Sequence, residues 1–158
     1  MKAFKEIRFF LLIAILLQLT ALSCTTIDLY EKSVTIPGHA WKNSFRPTFE
    51  FDIKDTSSHY QLFFILRHNE KYNYNNIYIN LYAQVPGQDS TIKIQKDLVL
   101  ATTEGWKATA MDDIYEHRIQ LGDPEALRAG HYKFTLEQIM RENPLENVLN
   151  VGVRIEKK

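Results

Sequence analysis

The side chains able to do chemistry in this 158-residue chain are few and scattered. One cysteine, Cys24, stands where an apolar run gives way to polar sequence, and five histidines, His39, His59, His68, His117 and His131, are spread over the rest. No two histidines fall two to five residues apart, the spacing that presents a ligand pair to a metal, and no unmodified thiol remains to join them. The histidines therefore read as surface residues. Met111-Asp112-Asp113 sets two carboxylates side by side, which could hold Ca²⁺ or act as acid and base. Adjacent residues of a strand point to opposite faces, so a solvated turn is the expectation. The chain contains no Gly-x-Ser-x-Gly, no glycine-rich phosphate loop and no His-Glu-x-x-His. Neither catalytic residues nor a metal or other cofactor is expected, and the chain reads as non-enzymatic.

Cys24 is the exception, because its surroundings assign it a reaction. Lys2, Lys5 and Arg8 form a basic n-region, Phe9 to Leu17 an apolar h-region, and Thr20-Ala21-Leu22-Ser23 leads through small residues into the cysteine. This is the pattern of a lipoprotein signal peptide over 1–23, cut before Cys24, whose thiol becomes a thioether to diacylglycerol and whose freed amine takes a further acyl chain. Even counted to Leu22, the apolar stretch has 14 residues. A bilayer span needs about 20. Each buried methylene contributes roughly 0.8 kcal/mol, so one chain holds weakly while two or three hold a domain at the bilayer. Residues 24–158 then form a membrane-tethered domain. No Ser/Gly/Pro-rich linker precedes the first expected strand at about Ile27, which keeps the domain close to the lipid.

The mature part is the size of one ordinary domain with its own core. The chain holds 19 basic and 19 acidic residues, and the signal takes three and one of them, leaving a formal charge near −2. The basic residues do not cluster, which excludes nucleic acid as a partner. With Cys24 lipidated there is no disulfide, so stability comes from packing.

The elements that position these residues read as strands. Period two dominates: Phe49, Phe51 and Ile53 alternate with Glu50 and Asp52, and Ile77, Ile79 and Leu81 alternate with Tyr78, Asn80 and Tyr82. Tyr60 to Leu66 is apolar at nearly every position and reads as a central strand covered on both faces. Pro37-Gly38, Asp55-Thr56-Ser57-Ser58, Pro86-Gly87-Gln88-Asp89, Gly122-Asp123-Pro124 and Ala129-Gly130 punctuate the runs. Strands are expected near 27–36, 47–54, 60–68, 76–85, 91–100, 114–121, 131–138 and 148–156. Their number and spacing predict a single two-sheet antiparallel β-sandwich, immunoglobulin-like or jelly-roll. Two local helical signals stand against the pattern: Asp123-Pro124-Glu125 reads as a capped turn, and Leu136, Ile139 and Met140 have helical spacing with Thr135 and Gln138 as a capping box.

The segment 67–76, Arg-His-Asn-Glu-Lys-Tyr-Asn-Tyr-Asn-Asn, joins two strong strands with aromatics and amides. Tyrosine gives contact area at low entropic cost and asparagine adapts its hydrogen bonds, a composition suited to protein or glycan contact; equally, both can serve the turn itself. Arg67, Tyr72, Tyr74 and Trp106 are the candidate partner contacts. Trp41 and Trp106 are expected to act as lids over the core.

Trp41 with Phe49-Glu50-Phe51, Leu66-Arg67-His68-Asn69, Tyr72 to Tyr78, Gly105-Trp106 and Met111 to Glu116 together resemble the gliding-motility lipoprotein GldH family of Bacteroidetes. Gly130 to Phe134, Glu137 to Arg141 and Asn150 to Glu156 resemble that family's closing segment. The resemblance covers essentially the whole mature chain. It implies a non-catalytic outer-membrane lipoprotein, a structural or interaction component of the gliding motility and type IX secretion machinery, with other envelope proteins as partners. Thr25 and Thr26 after the cysteine, without an acidic run, suggest the periplasmic side. The alternative is a carbohydrate-binding lipoprotein that stacks sugars on Trp and Tyr; a hydrolase, third, would need two carboxylates facing each other about 5 to 10 Å apart.

Overall fold

The structure, a computed structural model, describes residues 29–158. The signal segment and Cys24 lie outside the described residues. All eight expected strands are present: β1 (Leu29–Thr35), β3 (Thr48–Ile53), β4 (His59–Asn69), β5 (Asn76–Gln84), β6 (Ile92–Val99), β10 (Ile114–Gln120), β12 (Gly130–Gln138) and β14 (Val148–Lys157). Six short strands lie between them: β2 (Ala40–Trp41), β7 (Ala101–Thr102), β8 (Gly105–Trp106), β9 (Thr109–Met111), β11 (Glu125–Ala126) and β13 (Leu145–Glu146).

Two antiparallel sheets form the layers. One runs β1-β14-β4-β10-β9, with β11 beside the start of β4; the other runs β3-β12-β5-β6. Among the long strands the first pairs with the last (β1 with β14), the second with the second-last (β3 with β12), then β4 with β10, and β5 with β6 forms the innermost hairpin. Nested pairing of this kind is a long hairpin rolled on itself, which makes the sandwich a jelly roll rather than an immunoglobulin fold.

Period two sets the packing. Phe49, Phe51 and Ile53 of β3 are buried while Thr48, Glu50 and Asp52 are exposed. They meet Phe64 and Leu66 of β4, Leu81 of β5, Leu136 of β12, and Val151 and Val153 of β14 in one continuous core. Trp41 is fully buried at one end, its Nε1–H donating to the Phe45 carbonyl at 2.8 Å, so it closes the core as a lid. β4 is indeed central, flanked by β14 and β10, and Ile65 on its outer face is only 2 % exposed. Gly152 lies opposite Ile65 in register, and β1 comes so close that a Cβ there would sit 2.5 Å from the Lys32 carbonyl oxygen.

Both helical expectations are overturned. β12 continues through Gln138 with Tyr132, Phe134, Leu136 and Gln138 buried in alternation, so tertiary burial at period two overrides the helical spacing. Thr135 bonds across the sheet to Thr48 (2.9 Å) instead of capping, and Gln138 donates to the Trp41 carbonyl (3.1 Å) and accepts from the Met140 N–H (2.8 Å). The Asp123-Pro124 bend ends one strand and starts another: Glu125 and Ala126 pair with Tyr60 and His59 of β4.

Candidate functional site

Segment 67–76 closes one end of the sandwich. Asn69 begins its turn, accepting from the Tyr72 N–H (3.2 Å) through its carbonyl and from the Lys71 N–H (2.9 Å) through Oδ1. Asn147, at φ +67°, locks the loop from β14's side by donating to the Lys71 carbonyl at 3.0 Å. The Tyr72 ring is thereby folded inward, 3 % exposed, with its hydroxyl donating to the Asn76 carbonyl at 3.1 Å.

Two histidines lie beneath this cap. His68 and His117 are fully buried, with their Nε2 atoms 2.9 Å apart. This corrects the surface reading for these two; His39, His59 and His131 are exposed. The physical reason is strand phase: His68 continues the inward set Tyr60, Leu62, Phe64, Leu66, and His117 lies between Tyr115 and Ile119 on the inward face of β10. His68 Nδ1 is 2.7 Å from the Asn69 carbonyl oxygen, and His117 Nδ1 is 3.0 Å from that of Lys107. The His68 ring packs against Trp106, Tyr72 and Tyr115 at centroid distances of 4.5, 4.8 and 5.5 Å. Burial pushes both imidazoles toward the neutral form; a charge on His68 adds to this at His117, whose pKa falls to about 4 against the pull of the Lys107 carbonyl.

The four residues singled out for contact occupy different environments. Tyr72 is buried. Trp106 is half-buried on the short β7–β8 hairpin, over His68, in the role of a lid. Tyr74 is half-buried, set edge-on to Tyr72 at 5.8 Å and hydrogen-bonded to Glu142, which raises its pKa. Arg67 is exposed on the outer face of the first sheet and begins a ladder of alternating charge. Arg67 pairs with Glu116, and Glu116 with Arg118 (2.8 Å). Glu31 lies 3.9 Å from Arg118 and 2.6 Å from Arg154, whose other nitrogen reaches Glu156 at 3.4 Å.

A groove of about 500 Å³ opens beside the aromatic end, lined among others by Tyr74, Asn76, Tyr78, Gln95, Met140 and Arg141. Tyr78 and Gln95 lie on the outer face of the second sheet, the face that also carries Glu137. Burial opposes the Glu137 charge, but hydrogen bonds from Asn80 (2.9 Å) and Tyr82 (2.6 Å) and the cations Arg46 and Lys93 outweigh it and hold its pKa below the usual range. Tyr78 and Glu137 were not singled out by sequence; the outward phase of Tyr78, Asn80 and Tyr82 on β5 was the available signal. Asp112 and Asp113 form the exposed two-residue turn between β9 and β10, with Asp112 at φ +54°. Among the described residues, no three or more His, Cys, Asp or Glu side chains gather where they could hold a metal ion.

Fold and site together define a small jelly-roll domain with a capped aromatic end and outer faces built of tyrosine, amide and paired charge. The family model for the GldH lipoprotein matches residues 28–155, and the chain belongs to that family. The gliding motility lipoprotein GldH of Flavobacterium johnsoniae is 28 % identical over 94 % of this chain and 94 % of its own. A GldH homolog of Christiangramia forsetii is 28 % identical over 85 % of this chain and 87 % of its own. A solved carbohydrate-binding module of family 28, specific for non-crystalline cellulose, is similar with a TM-score of 0.46 and 13 % identity over 81 % of this chain and 73 % of that one.

Proposed function

We propose that the chain is a non-catalytic outer-membrane lipoprotein, cleaved after residue 23 and anchored through Cys24, that serves as a structural or interaction component of the gliding motility and type IX secretion machinery. The observation that carries this reading is the family match spanning residues 28–155, nearly the whole folded part. The burial of chemistry-capable groups agrees with it: His68 and His117 are inside, and Arg67, Glu116 and Arg118 are paired with one another. Contact with envelope partners falls to Arg67, Tyr74 and Trp106, with Tyr72 supporting them from beneath. Co-purification from detergent-solubilised envelopes tests it. Recovery of partner proteins from that apparatus, reduced by Tyr74→Ala, is expected; recovery of the lipoprotein alone, with secretion intact after its deletion, refutes it.

A second reading has its own observation. Tyr78, 39 % exposed, shares a groove with Tyr74, Asn76 and Gln95, a combination of ring face and amides suited to a sugar. Binding to a glycan array that Tyr78→Ala abolishes would establish it.

A further inference from the structure

We propose that His68 and His117 form a single-proton site: the pair takes up one proton, held along the line between the two Nε2 atoms, and that proton fastens the Trp106 hairpin to the end of the sandwich. The number of ring hydrogens decides the state of the pair. A carbonyl oxygen can only accept, so the Nδ1 atoms facing Asn69 O and Lys107 O each need a hydrogen to make their 2.7 and 3.0 Å contacts. Two neutral imidazoles have one ring hydrogen apiece, and both are then used. The Nε2 atoms are left as two bare lone pairs 2.9 Å apart, a repulsive contact at hydrogen-bond distance. One added proton from solvent makes all three contacts favourable. A second would set two N–H groups head to head, so the site takes one and refuses the next.

The surroundings suit a single delocalised cation. Tyr72 faces the pair from the loop after β4, Trp106 and the Lys107 carbonyl from the β8 side, Tyr115 from β10, and Val148 of β14 lies opposite His68 in register. The titratable side chains among these are two phenols, and burial drives the pKa of Tyr72 upward, which keeps it neutral. Glu142 hydrogen-bonds Tyr74, and its charge helps to raise the pKa of both Tyr72 and Tyr74. Aromatic faces favour an enclosed cation where carboxylates would instead fix it as a salt bridge. Burial resists the charge and sets its range below neutrality, and the second proton is held off until about pH 4.

Losing the proton has a structural consequence. One ring must move its hydrogen from Nδ1 to Nε2, and a carbonyl loses its donor. The Lys107 contact is the longer, so it is the one released, and Lys107 directly follows Trp106. The hairpin is thus tied at mildly acid pH and loosened above it.

The test uses the full-length chain in detergent micelles, labelled with ¹⁵N-histidine and titrated from pH 8 to 4.5. Expected on acidification are Nδ1–H signals on both rings, a single added proton per pair, and a scalar coupling between the two Nε2 nuclei. In the same samples Trp106 emission falls in one step of unit slope as the imidazolium forms 4.5 Å away, a step absent from Trp106→Phe, in which only buried Trp41 emits. Two rings titrating independently, one fixed Nε2–H tautomer across the whole range, or a stoichiometric zinc or copper ion whose chelation removes the step would each overturn the proposal.

Discussion

His117 shows how burial turns an ordinary side chain into a determinant of acid stability. Its folded pKa is lowered to about 4 from an unfolded value of 6.5, so its contribution is fully present above pH 6.5 and is lost as pH falls toward 4. The shift corresponds to about 3 kcal/mol across that interval. Urea denaturation at several pH values is expected to show the native state weakening steadily below pH 6.5, with a flatter profile for His117→Gln, which starts from a lower midpoint at pH 7. Gly152 makes a different demand. Any Cβ there would strike Lys32 O at 2.5 Å and Ser33 Cα at 2.9 Å, both backbone atoms of β1 that no rotamer change can clear. Gly152→Ala should lower stability by about 1–3 kcal/mol in the same assay. The sequence showed neither feature in isolation. The histidines are 49 residues apart and meet only when β4 and β10 pair, although the inward phase of each could be read within its own strand.

Long strands were legible because six or more residues of alternation outweigh local propensity; β3 follows its pattern residue by residue, and β5 buries Ile77, Ile79, Leu81 and Ala83 as expected, with Asn80 on its outward phase buried as well. The two-residue strands β2, β7, β8, β11 and β13 were not, since two residues have no period; β2, β11 and β13 moreover pair with partners far along the chain, while β7 and β8 meet across a short hairpin. β12 shows a local signal losing to a tertiary one, for Gln138 has the spacing of a helix cap and instead links Trp41 to Met140. Gln138→Leu should cost about 1–3 kcal/mol, because the Trp41 carbonyl then stays buried without its donor; the change in thermal midpoint measures it. The charge ladder on β4, β10, β1 and β14 should behave oppositely. Arg118 is half exposed, so Arg118→Ala is expected to change stability by less than about 1 kcal/mol, with the difference shrinking in high salt.

For the whole molecule, the all-β sandwich followed from strand number and spacing, while the jelly-roll order did not, because hydrophobic phase says which face is buried and nothing about which strand lies alongside. Partner contacts were the least legible. Tyr72 and Tyr74 are two residues apart in a loop of uniform composition, yet one is buried and the other borders a groove, a difference set by Asn69 and Asn147 rather than by the tyrosines. The anchor has its own test at this scale: Cys24→Ala should abolish acyl labelling and move the protein from the membrane fraction to the soluble one, and unchanged retention would refute lipidation there.

The antiparallel seam between β1 and β14 gives that anchor a mechanical setting. Leu29 lies opposite Glu156, at the same end of the sheet as Tyr60, while Thr35 lies opposite Asn150, near Arg67 and the aromatic cap roughly 20 Å along the strands. Under the proposed anchoring at Cys24 and docking at the cap, a pull between the two runs lengthwise, and the rungs joining these strands stand across that direction. All seven residue pairs of the seam share the tension at once instead of opening one after another like a zip. A domain mounted in the proposed way would carry traction to the bilayer without first coming apart.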